Sequence, residues 1–229
     1  MLVEPELLGS GTRVATFAVS GVALALAAVS APWRVWLEDR ERQWVWLASL
    51  AVLVGIWSMN AGITPGLSLR FLLVTALTLM HGWQLAVIGG ALALVVLNVV
   101  GVAGWGSFGA DLLCVVIVPV VVTAQLHQLV HARLPHNYFI YFFVTVFLGS
   151  ALAYNLAGLA RLGLLAASGS LDAAHVGAEY FAVLPFMSFG EGVANGMVMA
   201  MALVYRPTWA ASSEPLAASR PTRARPARL

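Results

Sequence analysis

The chain has 229 residues, of which 61% are hydrophobic and only 10% are charged, with a formal net charge of +2 and a mean hydropathy of +0.89. A water-soluble domain of this length could neither bury nor expose so much apolar surface, which excludes soluble enzymes and soluble binding proteins. Because about 20 apolar residues cross the bilayer core as a helix, the sequence predicts an all-α, polytopic membrane helix bundle.

Hydrophobic segments follow one another along the chain and predict about seven transmembrane helices. Their approximate bounds are 13–32, 44–60, 66–81, 84–103, 109–131, 137–166 and 180–205. The third segment is short and contains Arg70, which predicts a tilted or partly re-entrant segment. The sixth is long, and it is predicted either to extend beyond the bilayer or to break near Gly158 or Gly163.

Three regions are predicted: an external N-terminal segment over 1–12, the transmembrane bundle over 13–209, and a disordered, Arg-rich cytoplasmic tail over 210–229. The two acids before the first base are atypical of a cleavable signal peptide, so we interpret the first segment as a retained helix. Arginines concentrate in the first and fifth loops and in the tail. The positive-inside rule then predicts a bacterial inner-membrane protein with its N-terminus outside and its C-terminus in the cytoplasm.

Arg70 lies in TPGLSLRFLLVTALTL, a few residues inside the third segment. A guanidinium at such a depth costs about 3 kcal/mol on insertion scales unless it is paired or reaches the interface. Two interpretations of Arg70 stay open. It is either a structural ion-pair member or snorkelling side chain, or it is part of a substrate pocket.

Two acidic residues are candidate partners of this guanidinium. Asp111 opens the fifth segment in GSFGADLLCVV, where it can instead cap a helix N-terminus. Glu191 lies in the middle of the last segment, in FMSFGEGVANGMVMAMAL, with Asn195 one turn later. A carboxylate at that depth must be paired, protonated or in contact with water. We expect one of the two acids within direct or water-bridged reach of Arg70, with Glu191 slightly favoured for its central position.

Two histidines are the candidate metal ligands within the hydrophobic segments. His127 and His131 are four residues apart in HQLVH and therefore share one helix face, which can bind a transition metal. The glutamate of a metalloprotease HExxH motif is absent. The alternative is a polar helix end at the cytoplasmic interface, followed by His136.

The chain contains no nucleophile–base constellation, Walker A motif, dinucleotide fingerprint or haem attachment sequence. We therefore predict that it is not an enzyme and has no resident cofactor. No arginine alternates with exposed aromatic residues, which argues against a nucleic-acid partner. The lipid bilayer is the predicted partner, and any ATPase that drives transport must be a separate chain.

Four stretches taken in order resemble a known family: TPGLSLRF, LAVIGGALALVVLNVVG, SFGADLLCVVIVPVVV and FMSFGEGVANGMVMAMALVY. They are similar to the cobalt/nickel substrate-binding membrane proteins of energy-coupling-factor ABC transporters, the CbiM type. The stand-alone proteobacterial branch of about this length is the most similar in its order of features. The similarity runs from about residue 60 to residue 209.

This resemblance implies an S-component-like helical fold with an extra N-terminal helix and an external N-terminus. It implies transition-metal uptake together with a coupling transmembrane protein and ATPase subunits in trans. It also implies that metal is held by the N-terminal amine, a histidine at position two and a histidine shortly after the P-G turn. Here Leu2 and Arg70 fall at the two histidine positions. A cation at position 70 would repel a bare divalent metal ion.

The leading hypothesis is therefore a permease or substrate-binding component of an energy-coupling-factor transporter whose ancestral cobalt or nickel chemistry has changed or been lost. The alternative is a membrane scaffold or assembly factor that transports nothing and whose polar residues are all structural. Adjacent genes for a coupling protein and an ATPase, or their co-purification, would separate the two.

Overall fold

A computed structural model describes residues 6, 8–59, 62–64, 67–68, 70–135, 137–169, 173–206 and 209, and it describes the backbone alone at 62–64, 67–68 and 173–182. The described residues form eight helices. In chain order they are α1 Ser10–Ser30, α2 Trp33–Glu38, α3 Arg40–Ser58, α4 Val74–His81, α5 Trp83–Val99, α6 Trp105–Arg133, α7 Tyr138–Ala167 and α8 Ala173–Tyr205. The predicted tail over 210–229 lies outside the described residues.

Among the described residues, four helices are long and apolar enough to cross a membrane: α1, α6, α7 and the Val183–Tyr205 part of α8. Helix α5 is equally apolar but has only 17 residues. Helix α3 has 19 residues but begins with charged side chains, and α4 has only eight. The architecture is that of a multi-pass helical membrane protein. By length and apolar composition, four of the described helices qualify as membrane spans, and the predicted number of seven is not confirmed.

The third hydrophobic segment is the one that departs most from a spanning helix. Only its second half, α4, is helical, and eight residues rise about 12 Å. Before α4, β1 (Gly62–Thr64) pairs antiparallel with β2 (Leu67–Ser68), a short hairpin within an otherwise helical bundle. Arg70 lies in the irregular backbone between the hairpin and α4, which agrees with an interrupted segment.

The sixth segment does not break where a glycine was expected to break it. Helix α7 runs through Gly158 and Gly163 without interruption, and its irregular part is a π-helical turn over Tyr141–Leu148. Helix α6 contains a second π-helical stretch, Leu112–Ile117, directly before Pro119. Such insertions are frequent at functional sites, and here the stretch Leu112–Ile117 follows directly after Asp111.

Small residues allow the helices to approach closely in the core of the bundle. Gly109 on α6 lies against the backbone of Phe17 on α1, where an added Cβ would be 2.7 Å from the Phe17 nitrogen. The Ser20 hydroxyl donates to the Gly109 carbonyl at 2.7 Å across the same contact. On α8, Gly192 and Gly196 face phenylalanine rings of α7. These glycines therefore serve packing within the chain.

The two ends of the described chain lie at opposite ends of the bundle. Leu8 clusters with Ala110 and Leu165, at the start of α6 and near the end of α7. At the other end of α1, beyond the first loop, the Trp209 indole N–H donates to the Glu41 carboxylate at 2.8 Å. Trp209, after the end of α8, and Glu41, after the first loop, are thus at the same end of the bundle.

Candidate functional site

Glu191 on α8 is buried, with 1% of its surface exposed, and it binds the backbone in front of α4. Its carboxylate accepts hydrogen bonds from the N–H of Leu72 at 2.8 Å and from the N–H of Leu73 at 2.6 Å. Both donors belong to the irregular stretch that follows Arg70. A carboxylate in the bundle core therefore satisfies backbone groups that lipid could not.

Asn195, one turn further along α8, extends the same contact. Its Nδ2 donates to Glu191 Oε1 at 2.8 Å, and its Oδ1 accepts from the N–H of Ala76 at 2.7 Å. The first N–H groups of a helix have no partner within that helix. Glu191 and Asn195 together cap the N-terminus of α4 from a neighbouring helix. Their acceptor oxygens face the positive end of the α4 helix dipole.

The backbone at this cap is strained. Leu73 has φ +52°, the left-handed region, and is the one non-glycine residue with positive φ among those described. A leucine in this region costs about 1–2 kcal/mol. The Leu72 carbonyl also accepts from the Trp57 indole at 3.2 Å. The turn into α4 is thus held from α3 on one side and from α8 on the other.

Arg70 is buried at 7% exposure, and its guanidinium donates from Nη1 to the Trp57 carbonyl at the end of α3. Asp111 is the acidic residue that acts electrostatically on Arg70. The Glu191 oxygens are bonded to Leu72, Leu73 and Asn195, and the preference for Glu191 as a partner of Arg70 stays a prediction. Glu191 acts two residues away, on the backbone that follows Arg70.

Asp111 is fully buried near the start of α6, where it accepts a hydrogen bond from the Ser107 hydroxyl at 2.9 Å. Ser107 precedes it by one turn, so the acid is supported from its own helix. Asp111 also interacts electrostatically with Arg70 and Cys114. Asp111 therefore lies buried inside the bundle in the first turn of its helix, and its role as a helix cap stays a prediction.

Arg161 on α7 is a third charged member of this cluster, and sequence reasoning did not single it out. Its side chain is 2% exposed, it repels Arg70 electrostatically, and its charge acts on Cys114 in the direction opposite to that of Asp111. The available signal was its position inside the long sixth segment, where any arginine is costly. The structure joins Arg70, Asp111 and Arg161 in one buried cluster, which we call the arginine–aspartate cluster.

Comparison with known proteins is consistent with a membrane transport component. Residues 3–209 match the model of the CbiM family, described as "Cobalt uptake substrate-specific transmembrane region". The chain belongs to the CbiM family. No curated protein matches this chain.

Two solved structures have the fold of this CbiM-family chain. One, described as a truncated transition metal transporter, has a TM-score of 0.74 at 19% identity and covers 90% of this chain and 99% of its own. The other, described as a transition metal transporter, has a TM-score of 0.74 at 20% identity, over 89% of this chain and 93% of its own. At this identity the likeness concerns the fold.

The described part of this CbiM-family chain was searched for side chains that could bind a metal ion together. Within the part of the chain that the structure describes, no three His, Cys, Asp or Glu side chains are grouped to hold a metal ion. Leu2 lies outside the described residues. At position 70 the structure has a buried guanidinium beside a carboxylate.

The histidine pair lies far from this cluster along α6. The rings of His127 and His131 are stacked, with centroids 6.3 Å apart and an interplanar angle of 16°. The edge of Tyr141 also contacts His127, with centroids 6.2 Å apart. The two histidines share one face as predicted: His127 contacts Tyr141 of the π-helical stretch of α7, whereas His131 is exposed. His136 lies outside the described residues.

Proposed function

We propose that this chain is the substrate-specific membrane component of an energy-coupling-factor transporter whose pocket does not accept a bare divalent metal ion. The observation that carries this proposal is the buried arginine–aspartate cluster in a member of a cobalt uptake family. Two guanidinium groups and one carboxylate repel a divalent cation more than they attract it. Energy would come from a coupling transmembrane protein and ATPase subunits in trans.

The proposed topology has seven passes, of which the third combines the irregular stretch after β2 with α4. Short or broken spans are tolerated where the free backbone groups are buried in protein. Glu191 and Asn195 supply the acceptors that this break requires. With the N-terminus outside, the arginine–aspartate cluster lies toward the external side, since Ala110 and Leu165 cluster with Leu8.

Metal titration of the purified protein tests the altered binding chemistry. We expect no stoichiometric binding of Co²⁺ or Ni²⁺ by calorimetry. The variant Leu2→His/Arg70→His restores the two imidazoles that the family resemblance implies and should gain binding of about one equivalent. Arg70→Gln removes the same charge without adding a ligand and is the matched control. One equivalent of metal bound by the unmodified chain would overturn the proposal.

Purification in mild detergent tests the transport role separately. We expect a coupling membrane protein and an ATPase to co-purify with the tagged full chain from its native membrane. A chain that is recovered alone, and whose deletion changes no solute uptake, would favour the alternative of a scaffold or assembly factor. The titration and the purification can therefore fail independently of each other.

A further inference from the structure

An apolar groove lies between α3 and the end of α8. It has a volume of about 780 Å³, in the range of small-molecule sites. The short helix α4 forms its floor through Leu73, Ala76, Leu77 and Met80. Because α4 is short, it leaves the space that a full spanning helix would occupy.

A second, smaller cavity of about 230 Å³ continues the groove toward the first loop. The two cavities share Val45, Met80 and Trp209 as walls. The smaller one is still mainly apolar, but polar residues also line it: Trp36, Arg42, His81 and Gln84. The His81 ring bonds the Ser49 hydroxyl and the Gln84 amide donates to the Ser30 carbonyl, which leaves Trp36 and Arg42 as the donors to consider.

Arg42 is available as a donor in this compartment. Its Nε bonds Asp39 at 3.0 Å, an exposed pair, and its terminal nitrogens bond no other described residue. The indole N–H of Trp36 is buried without an acceptor among the described residues. The nearby Glu41 carboxylate already accepts from Trp209 and lies 4.0 Å from Arg206. The terminal nitrogens of Arg42 and the Trp36 indole N–H are donors, which suit an anion.

The position of the mouth matches the headgroup layer of a bilayer. Large aromatic side chains surround it, as in the interfacial belts of membrane proteins. They are Trp36, Trp44, Tyr205 and Trp209. Helix α2 carries exposed Trp33, Val35 and Leu37 beside this mouth, as a short interfacial helix does.

We propose that the groove binds one phospholipid, with an acyl chain between α3 and α8 and its phosphate beside Arg42 and Trp36. The apolar part of the groove can hold a hydrocarbon chain without burying polar groups that lack a hydrogen-bond partner. The phosphate supplies the acceptor that the Trp36 indole lacks. The phosphate also pairs with a guanidinium whose other contact is an exposed carboxylate. An anionic headgroup such as phosphatidylglycerol suits this donor set best, because Arg42 attracts its charge.

The unmodified protein allows the first test. Phosphatidylglycerol with a diazirine in its acyl chain, reconstituted with the full chain in vesicles, should crosslink mainly to peptides containing Ala48 or Met201. Both residues line the groove. Crosslinks spread evenly over the exposed faces of α1 and α6 would overturn the proposal. In native membranes, a protein that occupies the groove and prevents these lipid crosslinks would overturn it as well.

Two matched pairs of variants give the second test, read as phosphatidylglycerol retained in native mass spectrometry. Ala48→Phe fills the exposed groove wall, whereas Ala25→Phe places the same ring on the exposed face of α1. Arg42→Gln removes the phosphate donor, whereas Arg40→Gln removes a charge from the same first turn of α3. We expect about tenfold weaker retention in the first member of each pair alone.

Equal retention in all four variants, or equal loss in both members of a pair, would contradict a specific site. Titration with phosphatidylethanolamine against phosphatidylglycerol separates the role of charge. We expect the anionic lipid to displace the zwitterionic one. The reverse order would show that the Arg42 contact is not what selects the occupant.

Discussion

The carboxylate of Glu191 accepts the backbone N–H of Leu73 at 2.6 Å, although the two residues are 118 positions apart in the chain. Leu73 is also the residue whose φ of +52° turns the chain into α4. The hydrogen bond thus joins the middle of the last helix to the strained turn that follows Arg70. An acidic residue inside the membrane is here first of all a helix cap.

Removing this cap should destabilise the protein. Glu191→Leu leaves two buried N–H groups without acceptors, each costing about 1–3 kcal/mol. Glu191→Gln keeps one carbonyl acceptor and should lose about half as much. Thermal unfolding in detergent, followed by the fluorescence of the tryptophans near the site, measures both.

Asn195→Leu should behave like Glu191→Leu, because it frees the N–H of Ala76. Asn155→Leu is the matched control, since the Asn155 amide bonds only a carbonyl of its own helix. Equal melting temperatures for the two asparagine variants would argue against the cap across helices.

Arg70 and Asp111 should be energetically coupled. Removing one member of a buried charge pair strands the other and costs about 3–5 kcal/mol. Arg70→Leu and Asp111→Leu should therefore each lower stability, while the double variant recovers part of the loss. The same cycle between Arg70 and Glu191 should be closer to additive. Strict additivity of the Asp111 cycle in a detergent melting assay would refute the coupling.

Gly109→Ala should destabilise the contact between α1 and α6. The added methyl group would meet the backbone of Phe17 at 2.7–2.8 Å, and overpacking of this kind costs about 1–3 kcal/mol. Gly21→Ala is the control on α1, because nothing lies within 4 Å of its added methyl group. That change should be neutral or slightly stabilising. A melting temperature of Gly109→Ala equal to that of Gly21→Ala would exclude a tight contact.

The two sides of the membrane can be assigned with single cysteines. An impermeant maleimide should label Ser10→Cys in intact cells but label Arg34→Cys only after lysis. The unmodified chain is the control, because Cys114 is 1% exposed and should not react. Labelling of Arg34→Cys in intact cells would reverse the predicted orientation. A reporter after Leu229 that is active only outside the cytoplasm would do the same.

The histidine pair predicts where any residual metal would bind. If the protein retains Co²⁺ or Ni²⁺ at all, His127→Ala/His131→Ala should abolish the binding. Modification of the N-terminal amine should leave it unchanged. Metal lost on N-terminal modification but kept in the histidine variant would place the site in the external pocket instead.

Composition and local hydropathy were enough to determine the membrane bundle and several of its helices. The first and fourth segments were predicted at 13–32 and 84–103, and the helices are Ser10–Ser30 and Trp83–Val99. Such bounds depend on the free energy of transferring consecutive side chains into lipid, which is a sum of contributions from adjacent residues. The same local reasoning identified Arg70, Asp111, Glu191 and Asn195 as polar groups at depth.

Only the tertiary structure decided what those groups bind. Glu191 caps α4, Asp111 attracts Arg70, and Arg161 joins them from a helix that was read as apolar. The third segment also stops being helical before Val74, because Glu191 and Asn195 accept the N–H groups that a longer helix would have bonded internally. Hydrogen bonds and ion pairs between distant residues depend on how helices pack. The hydropathy of adjacent residues therefore does not determine which distant residues pair.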